Sequence, residues 1–163
     1  MGDTTTDGRT TVERRSDREL VVTRIFDGPV RLVFDAWTKA ELFQLWWAPK
    51  SIGVPMLSCE MDVRTGGGYR IAFGQDADHA MAFFGNYLEV TPPSRIVWTN
   101  DEGADGAVTT VTFENADDGR PRLVLSELYP SREAFEANGG AEGALPEQFA
   151  QLDELLVTLI AGG

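Results

Sequence analysis

One cysteine and one histidine among 163 residues exclude more chemistry than any motif in the chain supplies. Cys59 alone cannot close an intramolecular disulfide, and with no export signal this favours a reducing cytoplasm. A catalytic thiol needs a base, and His79 is the sole imidazole on offer, so packing in a strand is the simpler role for Cys59. A lone histidine cannot build the usual zinc site, and no HExxH, paired CxxC, GxSxG or EF-hand spacing occurs, so neither metal nor cofactor is expected. The loop from Asp101 to Gly106, DEGADG, is rich in carboxylates but lacks the bidentate glutamate that calcium needs, and reads as a solvated turn. Basic residues are also scarce. Fourteen Lys and Arg against 26 Asp and Glu leave a net charge of −12, which argues against nucleic acid or an anionic membrane surface as partner. No apolar run approaches the roughly 20 residues that cross a bilayer, so no membrane span is expected. Arg14 and Arg15 precede no apolar stretch, so no secretory or twin-arginine signal is expected.

What is present is a helix with one face to bury. From Pro146 to Ile160, Phe149, Leu152, Leu156 and Leu159 recur at helical spacing, with Glu147, Gln151, Asp153 and Glu154 mostly opposite. Upstream lie strand-like segments and short helices only, so the surface that accepts this stripe is a sheet. The first strand is Glu19 to Phe26. Asp27 is placed to cap a helix starting at Pro29, with Val30, Phe34 and Trp37 on one face. Thr38 to Glu41 has the form of a capping box that opens a second helix carrying Leu42, Leu45 and Trp46, with Pro49 beyond its end.

From Ile52 the period changes to two. Cys59, Met61 and Val63 alternate with polar neighbours, Gly66 to Gly68 turn the chain, and Tyr69, Ile71 and Phe73 return. The glycines precede a strand rather than a helix, so they form a turn and not a phosphate loop. Met81 to Thr91, a turn at Pro92-Pro93, RIVWTN, VTTVTFEN, a turn at Asp117-Asp118-Gly119 and RPRLVLSEL complete an antiparallel meander. Ser131 is placed to cap a helical turn that Asn138, Gly139, Gly140 and Gly143 break. Residues 1–17 are polar and Thr-rich and are expected to be a disordered tail ahead of one domain, 18–163. The class is α+β: a curved antiparallel sheet of six or seven strands wrapped around a long C-terminal helix, a helix-grip.

PVRLVFDAWTKAELFQLWWAPK, then CEMDVRTGGGYRI, then GNYLEVTPPSRIVWT resemble, in that order, the SRPBCC superfamily of START and birch-pollen-allergen-like proteins. Within it they are most similar to the bacterial branch named after the heat-shock-protein-90 ATPase activator homologues. The resemblance implies an apolar cavity between sheet and last helix, used in different branches for lipid, hormone or polyketide binding and in a few for catalysis. Its branch name implies a chaperone as an alternative partner. Many relatives carry a Gly-Trp pair early in the last helix, where this chain has Glu147 and Gln148; LDEL survives as Leu152 to Leu155.

The residues expected to line such a cavity come from every element. The helices offer Phe34, Trp37 and Trp46 early in the chain and Phe149, Leu152 and Leu156 at its end. The strands offer Met61, Ile71, Phe73 and Phe84, then Trp98, Val111, Phe113 and Leu125. Trp46 and Trp47 either gate the pocket or close one end of the core; large aromatics more often do the second. Period two carries three polar groups inward as well: Asn86 with Phe84 and Leu88, Asn100 with Ile96 and Trp98, and Glu127 with Leu123 and Leu125. A buried Glu127 would need a partner such as Arg24 or Arg70, unless it reaches water. Three functions follow: a carrier or sensor of an apolar small molecule or lipid, a chaperone-interacting protein, and a cyclase- or hydratase-like enzyme using Glu127 or His79. The first is favoured, because inward apolar positions are many and catalytic dyads are absent. A monomer or homodimer fits either of the first two.

Overall fold

The computed structural model describes residues 4–7, 10–48, 53, 55–100, 106–116, 119–137 and 145–162. In chain order the elements are β1 (Thr4–Asp7), β2 (Thr10–Arg14), β3 (Glu19–Ile25), α1 (Val30–Thr38), α2 (Ala40–Trp46), β4 (Met56–Met61) and β5 (Gly68–Phe73). They continue through β6 (Met81–Thr91), β7 (Arg95–Thr99), β8 (Val108–Asn115), β9 (Pro121–Leu128), α3 (Arg132–Ala137) and α4 (Leu145–Gly162). The strands form one nine-stranded sheet in the order β1-β2-β3-β9-β8-β7-β6-β5-β4, every neighbouring pair antiparallel. The long last helix packs on the sheet as the helix-grip expectation requires. No helix of the described residues is long and apolar enough to cross a membrane.

The tail is not disordered where it is described. Residues 10–14 pair with β3, Thr10 opposite Arg24 and Arg14 opposite Leu20, and residues 4–7 pair in turn with β2. The two strands extend the expected meander because a threonine-rich segment needs no apolar stripe of its own when a neighbouring strand offers a ladder of backbone partners. The polar loop at 101–105, turn residues 117 and 118, Pro49, Ile52 and the glycine-rich stretch at 138–144 lie outside the described residues.

Period two sends Leu20 and Val22, Ile71, Ile96, Val111 and Phe113, Leu123 and Leu125 to one face of the sheet, all nearly or fully buried. Against that face lie Phe149, Leu152 and Leu156 of α4, each at 0% exposure. Burying a side chain of this size contributes about 1.5–3 kcal/mol, so the stripe is a principal cohesive element. The turn between β4 and β5 requires glycine twice. Gly66 adopts φ +91°, and a Cβ at Gly67 would stand 2.0 Å from the Asp62 carbonyl oxygen.

The expected helix caps differ from the observed ones. Asp27 faces Arg120 at 3.1 Å instead of capping α1, whose N-cap is Pro29 with no side-chain bond. Thr38 bonds back to the Phe34 carbonyl at 3.0 Å, and Lys39 stands at the N-cap of α2, so no capping box forms. Ser131 does cap: its hydroxyl accepts from the Ala134 amide at 3.0 Å.

Candidate functional site

The geometry between helices and sheet starts from how the helix ends are satisfied. The last carbonyls of a helix have no partner within it. At the end of α1 the Ala36 carbonyl receives the indole N–H of Trp46 at 2.9 Å. At the end of α2 the Trp47 carbonyl receives the Gln148 amide at 2.6 Å, while Gln151 donates to Trp46 at 2.8 Å and Ala48 at 2.9 Å. Both glutamines are buried. Gln148, which stands about where relatives carry an indole, therefore joins α4 to α2 through a hydrogen bond. A second tie comes from β3: buried Arg24 pairs with Asp153 of α4 and donates to the Thr10 hydroxyl at 2.7 Å. Arg24 thus serves α4, not Glu127, and Arg70 is exposed.

Within this frame Trp37 is the hub of an aromatic cluster. Ring centroids lie at 4.9 Å for Trp46, 5.8 Å for Trp47, 5.9 Å for Trp98, and 6.4 Å for both Phe113 and Phe149. Trp46 is fully buried and hydrogen-bonded, which places it in the core, whereas Trp47 is half-buried. Among the described residues two buried side-chain nitrogens have no hydrogen-bond partner, Trp37 Nε1 and Arg24 Nε. Leaving such a donor unmet costs about 1–3 kcal/mol.

Farther along the sheet the inner face is apolar but less covered. Met61, Tyr69, Phe73 and Trp98 are half-buried, and Phe83 is 39% exposed. The expected inward pair on β6 is displaced by one residue. Phe83 lies opposite Ile71 and its ring meets Phe73 at 5.8 Å, so Phe83, Gly85 and Tyr87 face inward. Phe84 and Asn86 stand on the outer face, exposed, and Leu88 falls where the β6–β7 register shifts between Tyr87 and Glu89. The shift lies beyond Phe84 and Asn86; β6 carries apolar residues on both faces, so a period-two count does not say which face turns inward, and the pairing of Phe83 with Ile71 decides it. Gly85 would have been the sequence signal, since a Cβ there would lie 1.9 Å from the Thr99 carbonyl oxygen. Phe26 and Phe43, buried beside Phe149 and Trp46, are further core rings that the sequence reading did not select.

The inward polar groups are mostly paired. Asn100 donates to the Ala107 carbonyl at 2.7 Å and to Thr109 at 3.0 Å, and Tyr69 donates to the Thr99 carbonyl at 2.8 Å. Glu127 is half-buried beside Leu20 and Thr109 and accepts from the Tyr129 hydroxyl at 3.0 Å. Burial pushes the Tyr87 hydroxyl well above its ordinary pKa, with Cys59 and Asp62 adding to the rise. Burial likewise raises the Cys59 thiol, which lies 3.5 Å from Met61 Sδ. His79 is exposed and meets Asp76 at 2.8 Å. Neither Cys59 nor Glu127 is thereby given an imidazole base. Met61 and Tyr69 also line an open groove of about 320 Å³ with Glu60, Asp62, Gly68 and Arg70.

Comparison with known proteins extends the sequence resemblance to structure. The family described as Activator of Hsp90 ATPase homolog 1-like protein matches residues 27–157. A Rhodobacter sphaeroides protein superposes with a TM-score of 0.82 at 20% identity, over 92% of this chain and 99% of its own. A Staphylococcus epidermidis protein gives 0.75 at 24% identity over 89% and 93%, and protein SA2116 of Staphylococcus aureus, of unknown function, gives 0.70 at 18% over 88% and 95%. These likenesses show the fold. No curated protein matches the chain.

Proposed function

The chain belongs to the Activator of Hsp90 ATPase homolog 1-like family of the SRPBCC superfamily, and from that premise we propose that it binds an apolar small molecule or lipid between sheet and helices. The observation that carries this reading is the inner face of β4–β7: Met61, Phe73, Phe83 and Trp98 form an apolar surface that the helices leave partly uncovered. Large apolar side chains left partly open on a concave face, with few polar groups among them, are the usual make-up of a small-molecule site. The titratable groups nearby are tied into local contacts, which favours carriage or sensing over catalysis.

The test is titration of an environment-sensitive apolar fluorophore into wild type and Met61→Trp. An indole at a half-buried inward position removes ligand space, so binding weakens several-fold while the melting temperature stays close to wild type. Saturable binding that Met61→Trp leaves untouched, or no binding to wild type, overturns the reading.

A second reading, docking onto a chaperone, draws support from the family description and from Phe84 on the outer face and Leu88 at the register shift, 41% and 53% exposed. Stimulation of an Hsp90-type ATPase by wild type but not by Phe84→Ser/Leu88→Ser would favour it.

A further inference from the structure

Two indoles of the aromatic cluster are fully or almost fully buried, and the fold treats their N–H groups differently. Trp46 Nε1 has the Ala36 carbonyl at 2.9 Å. Trp37, 2% exposed, has no acceptor within reach of Nε1. Its ring neighbours, Trp46, Trp47, Trp98, Phe43, Phe113 and Phe149, offer no side-chain acceptor oxygen. A phenylalanine would fill much of the same volume without a donor to satisfy, so packing alone does not explain an indole at this position. Arg24 Nε is the other unmet donor, but the Arg24 guanidinium already serves Asp153 and Thr10, whereas Nε1 is the whole polar content of Trp37.

Resting on the ligand-binding reading above, we propose that Trp37 is a specificity residue whose indole N–H donates to an acceptor oxygen on the ligand. The ligand class is then narrower than apolar. It is a molecule with a largely hydrocarbon or aromatic body and an uncharged carbonyl or ether oxygen at the end that enters the cluster. A carboxylate is disfavoured, because an anion needs more than one neutral donor when it leaves water. Trp98 and Trp47, both half-buried, have their rings against that of Trp37; Nε1 itself is buried, so the ligand oxygen reaches it by displacing one of these rings.

The experiment compares two probes of nearly equal size, 6-propionyl-2-(dimethylamino)naphthalene and its 6-propyl counterpart, which lacks the carbonyl. Wild type binds the ketone about tenfold more tightly, a difference of about 1.4 kcal/mol. Trp37→Phe brings the two affinities together by weakening the ketone while leaving the propyl compound nearly unchanged. In ¹⁵N-labelled wild type the Trp37 indole proton moves downfield with the ketone and not with the propyl probe, a readout that does not depend on the variant folding. Equal affinities in wild type, or an indole resonance that responds alike to both probes, overturns the donor assignment and leaves the cavity standing. Binding of neither probe removes the cavity and this inference with it.

Discussion

The side-chain amide of Gln148 donates to the backbone carbonyl of Trp47 at 2.6 Å, so the first turns of α4 close the open end of α2. Gln151, one turn later, does the same for Trp46 and Ala48. Position 148 is therefore occupied by a buried hydrogen-bonding group and not by a shortened aromatic. Gln148→Ala leaves the part-buried Trp47 carbonyl without its side-chain donor and should lower stability by about 1 kcal/mol. Gln148→Trp adds overpacking to the same loss and should be at least as damaging. Urea unfolding of the three proteins decides this, and an indole tolerated without loss would show that the bond contributes little.

Leu152→Ala and Leu156→Ala should each cost about 2–5 kcal/mol, because both side chains are fully buried under α4 and truncation leaves a cavity. Denaturant melts measure it. Losses near zero at both positions would mean that the helix is not docked on the sheet.

Asp153→Ala leaves Arg24 charged and buried without its carboxylate. Breaking such a pair costs about 3–5 kcal/mol, and the partly exposed Asp153 puts this case at the lower end. Arg24→Met combined with Asp153→Leu should recover most of that loss, since paired removal leaves no stranded charge. A double-mutant cycle tests both statements together.

Deletion of residues 1–15 removes two strands and the Thr10 hydroxyl that accepts from Arg24 at 2.7 Å. We expect a loss of about 2 kcal/mol or more, which for a chain of this size lowers Tm by roughly 4–8 °C. An unchanged melting curve would return this segment to the status of a dispensable tail.

Alkaline pH should destabilise the fold through Tyr87. Burial raises its folded pKa above the ordinary 10.0, so above about pH 10 the unfolded chain loses a proton that the folded chain keeps. Stability is then fully present below pH 10 and falls as pH rises, with a slope of up to about 1.4 kcal/mol per pH unit. Tyr87→Phe should flatten that slope. Melts between pH 8 and 11 would show it, and identical slopes in the two proteins would refute the assignment to Tyr87.

Periodicity reads which side of its own backbone a residue takes, and it was sufficient wherever a strand stays regular. Tyr69, Ile71 and Phe73, Ile96 and Trp98, Val111 and Phe113, and Leu123 and Leu125 all turn inward as their spacing requires, and the bounds of β6 coincide with the reading. The stripe of α4 was equally legible, because three leucine and phenylalanine side chains at helical spacing can bury themselves in only one direction.

Tertiary structure decided what depends on partners distant in sequence. Gln148 meets Trp47 across 101 positions, and Arg24 meets Asp153 across 129. No local pattern distinguishes a solvated glutamine or arginine from one aimed at a carbonyl or carboxylate elsewhere in the chain. Pairing with β5 set the parity of β6, with Phe83 opposite Ile71, and with it the exchange of Phe84 for Phe83 on the inner face, because a strand with apolar residues on both faces does not say which face it turns inward. The tail became sheet for a related reason: a polar strand is stabilised by the ladder of the strand beside it, and that strand is known only once the chain has folded back on itself.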